Sequence, residues 1–183
     1  MSTNNKDDLV RVAVQGAALN LADLLTHSRV VPLQTTDKGN AIEALVNCLV
    51  ETGAVSLAHR AAILEAVKRR EAGGSTGLFL GVAVTLGDTP LIADPICALG
   101  FSRKGIAYDA LDEQPVKLIM LLLRPAHRWM EMQSLTHNLR LFMFKHHNLL
   151  ETASTKSEIY DQLVRAGQDI MHFVDRTKNQ PLL

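Results

Sequence analysis

The sequence predicts an α/β fold, a single-domain sandwich in which helices flank a mixed β-sheet. Three observations predict it. Two amphipathic helical stretches lie between residues 40 and 72. Three short apolar runs bounded by turn residues follow between residues 78 and 123. Helical spacing returns after residue 128. Helices, then strands, then helices in one chain argue for layers packed around one core. At 183 residues the chain suits one domain, and no repeat, low-complexity tract or linker divides it. We read residues 1–18 as an N-terminal extension, partly disordered, 19–176 as the domain and 177–183 as a frayed tail.

The elements follow in order. Residues 9–20 are apolar enough to pack but have no clear period. Leu21 to Leu25 reads as a short helix. Arg29 to Leu33 reads as extended, with Pro32 pointing to an edge position. A helix is expected after Gly39, capped by Asn40 with Glu43 at the capping-box distance. Ile42, Leu45, Val46, Leu49 and Val50 form its apolar face, and Gly53 stops it. A second helix begins at Ser56 and turns Leu57, Ile63, Leu64 and Val67 inward. Its last turn holds Lys68, Arg69 and Arg70, favourable at the negative end of a helix.

Strands are expected at Leu78–Val84, Ile96–Phe101 and Val116–Leu123. The last is a near-continuous apolar run, the pattern of a strand covered on both faces. Turns are expected at Gly87–Pro90, Arg103–Gly105 and Asp112–Pro115. A long helix covers about 128–145. Another begins near Ser154 or Thr155, with Ile159, Leu163 and Val164 inward and a restart after Gly167.

Composition narrows the functions available. Lys+Arg and Asp+Glu balance at 19 each, so no global basic field exists to hold nucleic acid or an anionic membrane. The N-terminus has no apolar signal region, and no run reaches the roughly 18 residues that suggest a membrane span. No membrane insertion is expected, and the reading is cytoplasmic. Cys48 and Cys97 form neither a CxxC pair nor a disulfide framework; buried, reduced thiols are expected. No cofactor motif stands out. The Gly73–Gly77 stretch lacks the GxxxxGK[ST] pattern and leads into a strand, so it reads as a turn.

Four segments carry a resemblance. Ala41-Ile-Glu-Ala-Leu-Val46 precedes a helix ending Arg70-Glu71. Ser75-Thr-Gly-Leu-Phe-Leu-Gly-Val-Ala-Val84 is similar to STGIGNGVAI. Gly105-Ile-Ala-Tyr-Asp-Ala-Leu-Asp-Glu-Gln-Pro-Val-Lys-Leu-Ile119 is similar to GIDFDALDGQPVDLV. Leu121-Leu-Leu-Arg-Pro125 is similar to LLLAP, and Ser157 to Leu163 stands where an EELY helix is expected. Over about residues 19–165 the chain resembles the phosphotransferase-system (PTS) IIA family of the fructose/mannitol and nitrogen-regulatory type. The resemblance implies a cytoplasmic IIA domain that carries a phosphoryl group on a histidine and works through other phosphotransferase proteins.

The chain departs from that pattern at its chemical centre. The family follows GVAI with Pro-His, and that histidine is phosphorylated; here Thr85 and Leu86 follow Val84. A second family histidine opens the long helix, and alignment on Leu135 and Leu141 places Glu131 there. Phosphoryl carriage needs a nucleophilic nitrogen, and leucine has no lone pair. A carboxylate at the second position would repel an incoming phosphoryl group. The expectation is therefore a degenerate IIA-like protein, a pseudoenzyme that regulates through protein contact. Glu131 has two readings: a favourable acidic residue in a first helical turn, or a weak imitation of a phosphorylated state.

The other reading keeps a working carrier whose acceptor has moved. His137 is the first alternative acceptor and His127 the second. A third reading is a ligand-binding or oligomeric protein whose pocket Leu86 fills. Thr85 adjoins the position but has no neighbouring base in sequence. His27, His59, His146, His147 and His172 show no paired metal-ligand spacing, and no metal is expected. Arg124 and Arg128, with Arg103 and Lys104, are candidates for an anion- or partner-binding rim. Trp129 beside Met130 and Met132 is expected to pack on the sheet, or to mark an interface if exposed. A protein partner is expected, PTS components or a regulatory target; a homo-oligomer is left open.

Overall fold

A computed structural model describes the backbone of residues 20–178 and side chains as far as Gly167. The expected extension at 1–18, residues 179–183 of the tail and the His172 side chain lie outside the described residues.

Four strands form one mixed sheet: β1 (Val30–Pro32), β2 (Val82–Thr89), β3 (Ile96–Ile106) and β4 (Val116–Pro125), in the spatial order β1-β3-β4-β2. β1 runs parallel to β3, β3 antiparallel to β4, and β4 parallel to β2. Pro32 lies on edge strand β1, where a missing N–H costs no ladder bond. The β4 run of Leu118 to Leu123 is buried throughout because strands flank it on both sides and helices cover both faces.

Helices α1 (Leu21–Leu24), α2 (Lys38–Glu51), α3 (Arg60–Ala72), α4 (Trp129–Lys145), α5 (Leu149–Thr152) and α6 (Lys156–Lys178) enclose the sheet. Alternation along the strands creates two apolar layers. Val84, Leu86, Leu99, Met120 and Leu122 face Leu139, Phe142 and Met143 of α4 and Ile159 of α6. Ala83, Ala98, Ile119, Leu121 and Leu123 face Ile42, Leu45 and Leu49 of α2 and Ile63 and Val67 of α3. Gly87 lets α3 approach β2 closely, since a Cβ there would lie 2.6 Å from Val67 Cγ2.

Several boundaries differ from expectation, each for a local reason. Asp37, and not Asn40, caps α2: its side chain accepts from Asn40 N at 2.8 Å. Glu43 is drawn instead to Arg60 at 2.6 Å and Lys68 at 3.7 Å. Leu57 points outward because Ser56 caps a 3₁₀ turn (Leu57–His59) ahead of α3. The strand expected at Leu78 starts at Val82, after Leu80 and Gly81 turn the chain at φ +61° and +73°. β2 then runs through the expected turn to Thr89, because pairing with β4 continues as far as Thr89↔Pro125. β3 likewise continues past Arg103–Gly105 across a bulge, with Gly105 at φ +84°. α6 is continuous through Gly167, which packs so closely on Leu21 that a Cβ would meet its Cβ at 2.8 Å.

Candidate functional site

The C-terminal half of β2, residues 85 to 89, is where the chemistry-bearing side chains gather. β2 is an edge strand, so its side chains alternate between the two layers while one side of its backbone faces outward. Leu78 N donates to Val82 O at 2.9 Å and Val84 N donates to Thr76 O at 3.3 Å. The 76–78 segment therefore covers the outer edge of β2 as far as Val84. The same alternation turns the Leu86 backbone N–H and carbonyl outward, past the end of that cover.

Leu86 is 3% exposed and packs in the layer made by α4 and α6. Its β4 partner is Leu122. The side chain fills apolar space and contributes no polar group.

Thr85 faces the opposite layer and is fully buried. Its hydroxyl hydrogen-bonds the Tyr108 hydroxyl and lies 3.2 Å from Thr76 Oγ1. Thr76 in turn donates from Oγ1 to Glu71 Oε2 at 2.5 Å and from its backbone N to Glu71 Oε1 at 2.9 Å. Lys38 Nζ stands 3.6 Å from Glu71 and 2.8 Å from Asp109, and 5.2 Å from the Tyr108 ring centroid. This closed chain satisfies every buried hydroxyl. Burial, reinforced by the negative charge of Glu71, raises the Tyr108 hydroxyl far above an ordinary tyrosine. The neutral Tyr108 hydroxyl is thus locked as a structural partner of Thr85.

Beyond Leu86 the strand meets charge. Arg124, 4% exposed, donates from Nε to Asp88 Oδ1 at 2.8 Å and from Nη2 to Asp88 Oδ2 at 2.7 Å. Its Nη1 donates to Thr136 Oγ1 at 3.0 Å, which ties β4 to α4. Arg140 lies one turn beyond Thr136 on α4, and Arg70 nearly one turn beyond Val67 on α3. Burial, then the positive charges of Arg70 and Arg124, lower the Arg140 guanidinium from its ordinary value. Arg124 from β4 and Arg140 from α4 thus lie at this end of β2, and the positive charge of Arg70 from α3 acts on Arg140.

The structure separates the rim arginines read from sequence. Arg124 is at the site, held by Asp88. Arg128 pairs with Asp94 at 3.1 Å and Glu131 at 2.8 Å. Arg103 donates to the carbonyls of Leu150, Ala153 and Ser154, bracing the α5–α6 connection, and Lys104 is exposed on β3. Glu131 is exposed in the first turn of α4. His127 and His137 are both exposed. Trp129 is 53% exposed and Met130 78%, so of the three only Met132 is buried. Arg70 and Arg140 are the site residues that sequence reading did not single out. Nothing in their spacing joins them; folding does.

His27 Nε2 lies 3.0 Å from Ser157 Oγ, and its ring meets Tyr160 edge-on. His147 Nδ1 lies 2.9 Å from Phe144 O. Among the described residues no three His, Cys, Asp or Glu side chains cluster to hold a metal.

Comparison with known proteins gives a consistent picture. The family model described as phosphoenolpyruvate-dependent sugar phosphotransferase system, EIIA 2, matches residues 23–166. The chain is 36% identical over 89 residues to the fructose-specific EIIA component of Haloferax volcanii, covering 49% of this chain and 56% of that protein. It is 32% identical over 105 residues to the fructose-specific EIIABC component of Bacillus subtilis, covering 57% of this chain and 16% of that protein. Against the nitrogen regulatory protein of Klebsiella oxytoca the identity is 32% over 117 residues, 58% of this chain and 68% of that one. Nitrogen regulatory protein IIA-Ntr of Neisseria meningitidis has a similar structure, with TM-score 0.61 and 25% identity, covering 78% and 98% of the two chains. The fold is shared with IIA mannitol of Escherichia coli at TM-score 0.57 and 19% identity, covering 76% and 98%.

Proposed function

From the premise that the chain belongs to the phosphotransferase-system EIIA type-2 family, we propose that it is a non-catalytic member, a regulatory module that acts by binding a partner protein. The observation that carries the reading is Leu86. It stands two residues after the Gly-Val-Ala-Val84 segment, where the resemblance puts the phosphoryl-accepting histidine, and its side chain is buried in apolar contact. A hydrocarbon cannot attack phosphorus or hold a phosphoryl group. The neighbouring hydroxyl of Thr85 is buried and already hydrogen-bonded, so it offers no substitute. Glu131, at the second family histidine, is engaged by Arg128.

A family surface can outlast the chemistry. One solved relative in structure is a complex of enzyme IIA of the mannitol type with phosphorylated enzyme IIB from Escherichia coli. A comparable contact with a phosphotransferase protein, or with a regulatory target, is the interaction proposed for this chain. Exposed Trp129 and Met130 are the first candidates for its contact residues.

The test is incubation with phosphoenolpyruvate, enzyme I and HPr, followed by intact-mass measurement under basic conditions beside a working IIA control. The proposal expects no added phosphoryl mass on this chain while the control gains it. A gain of one phosphoryl group would overturn it. Loss of that gain on substituting His137 or His127 would then establish a carrier with a relocated acceptor.

A further inference from the structure

Most large apolar side chains near the sheet are buried in its two layers. One corner departs from that rule. Phe79, Leu80 and Leu111 are 45%, 52% and 66% exposed. Backbone bonds bring them onto one surface. Leu80 N donates to Asp112 Oδ2 at 2.9 Å, and Leu111 N donates to Gly77 O at 3.4 Å. These bonds tie the turn ahead of β2 to the loop ahead of β4. The Phe79 ring rests against Phe144 of α4, with ring centroids 6.2 Å apart.

The turn is held at a cost. Leu80 has φ +61°, a left-handed conformation that an L side chain adopts at a steric penalty. Glycine or asparagine adopts it more readily. The similar segment STGIGNGVAI has Gly and Asn where this chain has Phe79 and Leu80. Burial does not offset the penalty, because both side chains face water. Covering them with apolar surface recovers the free energy that their exposure forfeits. A strained residue fixed at an exposed apolar corner points to a contact.

The rim of the corner indicates what covers it. Glu113 follows shortly after Leu111, Lys117 N donates to Gly81 O at 2.7 Å, and Lys145 follows Phe144 at the end of α4. All three residues are exposed, and among the described residues none of them is ion-paired. A rim carrying both signs fits a partner rim carrying both signs. A second copy supplies one, since a two-fold contact sets each surface against itself and lets acid oppose base. Lys+Arg and Asp+Glu balance at 19 each, so two copies approach without net repulsion. The bonds that fix the turn also keep the ordering cost of the contact low.

We propose that Phe79, Leu80 and Leu111 form a two-fold docking surface through which two copies of this chain associate. It is separate from Trp129 and Met130, which stand at the other end of α4, roughly 22 Å from Phe144 at 1.5 Å per residue. The association depends neither on a missing acceptor histidine nor on the partner contact proposed above, so it stands apart from the regulatory reading.

The test is sedimentation velocity of the full chain at concentrations from about 1 to 100 µM, the range in which a small interface responds. The expected result is a monomer–dimer equilibrium whose dimer fraction rises with concentration. Phe79→Ser and Leu80→Asn should each weaken association about tenfold or more, and Glu113→Lys several-fold. Leu57→Ser, at an exposed leucine on the 3₁₀ turn ahead of α3, should leave it unchanged. Leu80→Asn also relieves the backbone penalty, so its urea midpoint should equal or exceed that of wild type while its dimer weakens. Unfolding then cannot account for the lost dimer. A monomer at every concentration would overturn the proposal and leave the corner to a different protein. A dimer as tight in the folded Phe79→Ser and Leu80→Asn variants as in wild type would overturn it as well.

Discussion

Arg124 and Asp88 face each other as register partners on β4 and β2 and join through two parallel hydrogen bonds of 2.8 and 2.7 Å. The arginine is nearly buried whereas the Asp88 side chain is 37% exposed. Asp88→Asn would leave Arg124 with its Thr136 bond but no counter-charge. A cost of about 1–3 kcal/mol is expected, below that of a fully buried pair because water reaches Asp88. Urea denaturation measures it. A midpoint equal to wild type would mean that the pair contributes nothing net.

Leu86 is expected to behave as a core residue. Leu86→Ala should cost about 2–5 kcal/mol, the range for emptying a packed leucine site. A loss under 1 kcal/mol in chemical denaturation would show that the side chain is not packed and would reopen this position to solvent and ligand.

Tyr108 should stay un-ionised in the folded protein at pH values where free tyrosine ionises. Burial and Glu71 both disfavour its phenolate. The folded value lies above the unfolded one, so the stabilisation is complete below about pH 10, the ordinary tyrosine value, and is lost as pH rises through the folded value. Ultraviolet difference titration of wild type against Tyr108→Phe checks it. A phenolate signal from Tyr108 near pH 10, with the protein still folded, would contradict the buried network.

Cys97 is fully buried and its thiol is pushed up to about 12 by burial. Cys48 is raised in the same direction and for the same first reason. Because the folded thiols ionise later than unfolded ones, their contribution is complete below about pH 8.5 and fades as pH climbs through the raised values. Thiol titration with an aromatic disulfide at pH 8 should label Cys97 only after urea is added. Rapid labelling of Cys97 in the native protein would mean that the sheet opens locally.

Much of the fold was legible because its signals are local. The uninterrupted apolar run of β4, the helical faces of α2 and α3 and the edge character of Pro32 each follow from neighbours in sequence. The errors lie where tertiary contacts override local signals. Gly87-Asp88-Thr89 has turn chemistry, yet Arg124 across the ladder keeps it in β2. Asn40 is a good cap, but Asp37 is three residues nearer the chain entry and takes the role. At the site, Leu86, Thr85 and Arg124 could be named from sequence because they lie in or beside segments that resemble the family. Arg70 and Arg140 could not be paired, since 69 positions separate them and only the sandwich brings α3 and α4 to the same strand end.

The strand order also bears on how the chain can be made. Among the described residues β2 has no strand neighbour except β4, and β3 reaches β2 only through β4. β4, which joins β2 to β3, is the last of the four to be synthesised, so a nascent chain that ends before Val116 holds β2 with its β4-facing edge unfilled. Assembly of the sheet must wait for residues 116–125 to clear the ribosome, a long-range closure of the kind that slows folding. Until then the apolar residues Val82, Val84 and Leu86 lack the strand and helices that bury them, the kind of transient exposure that favours aggregation over folding.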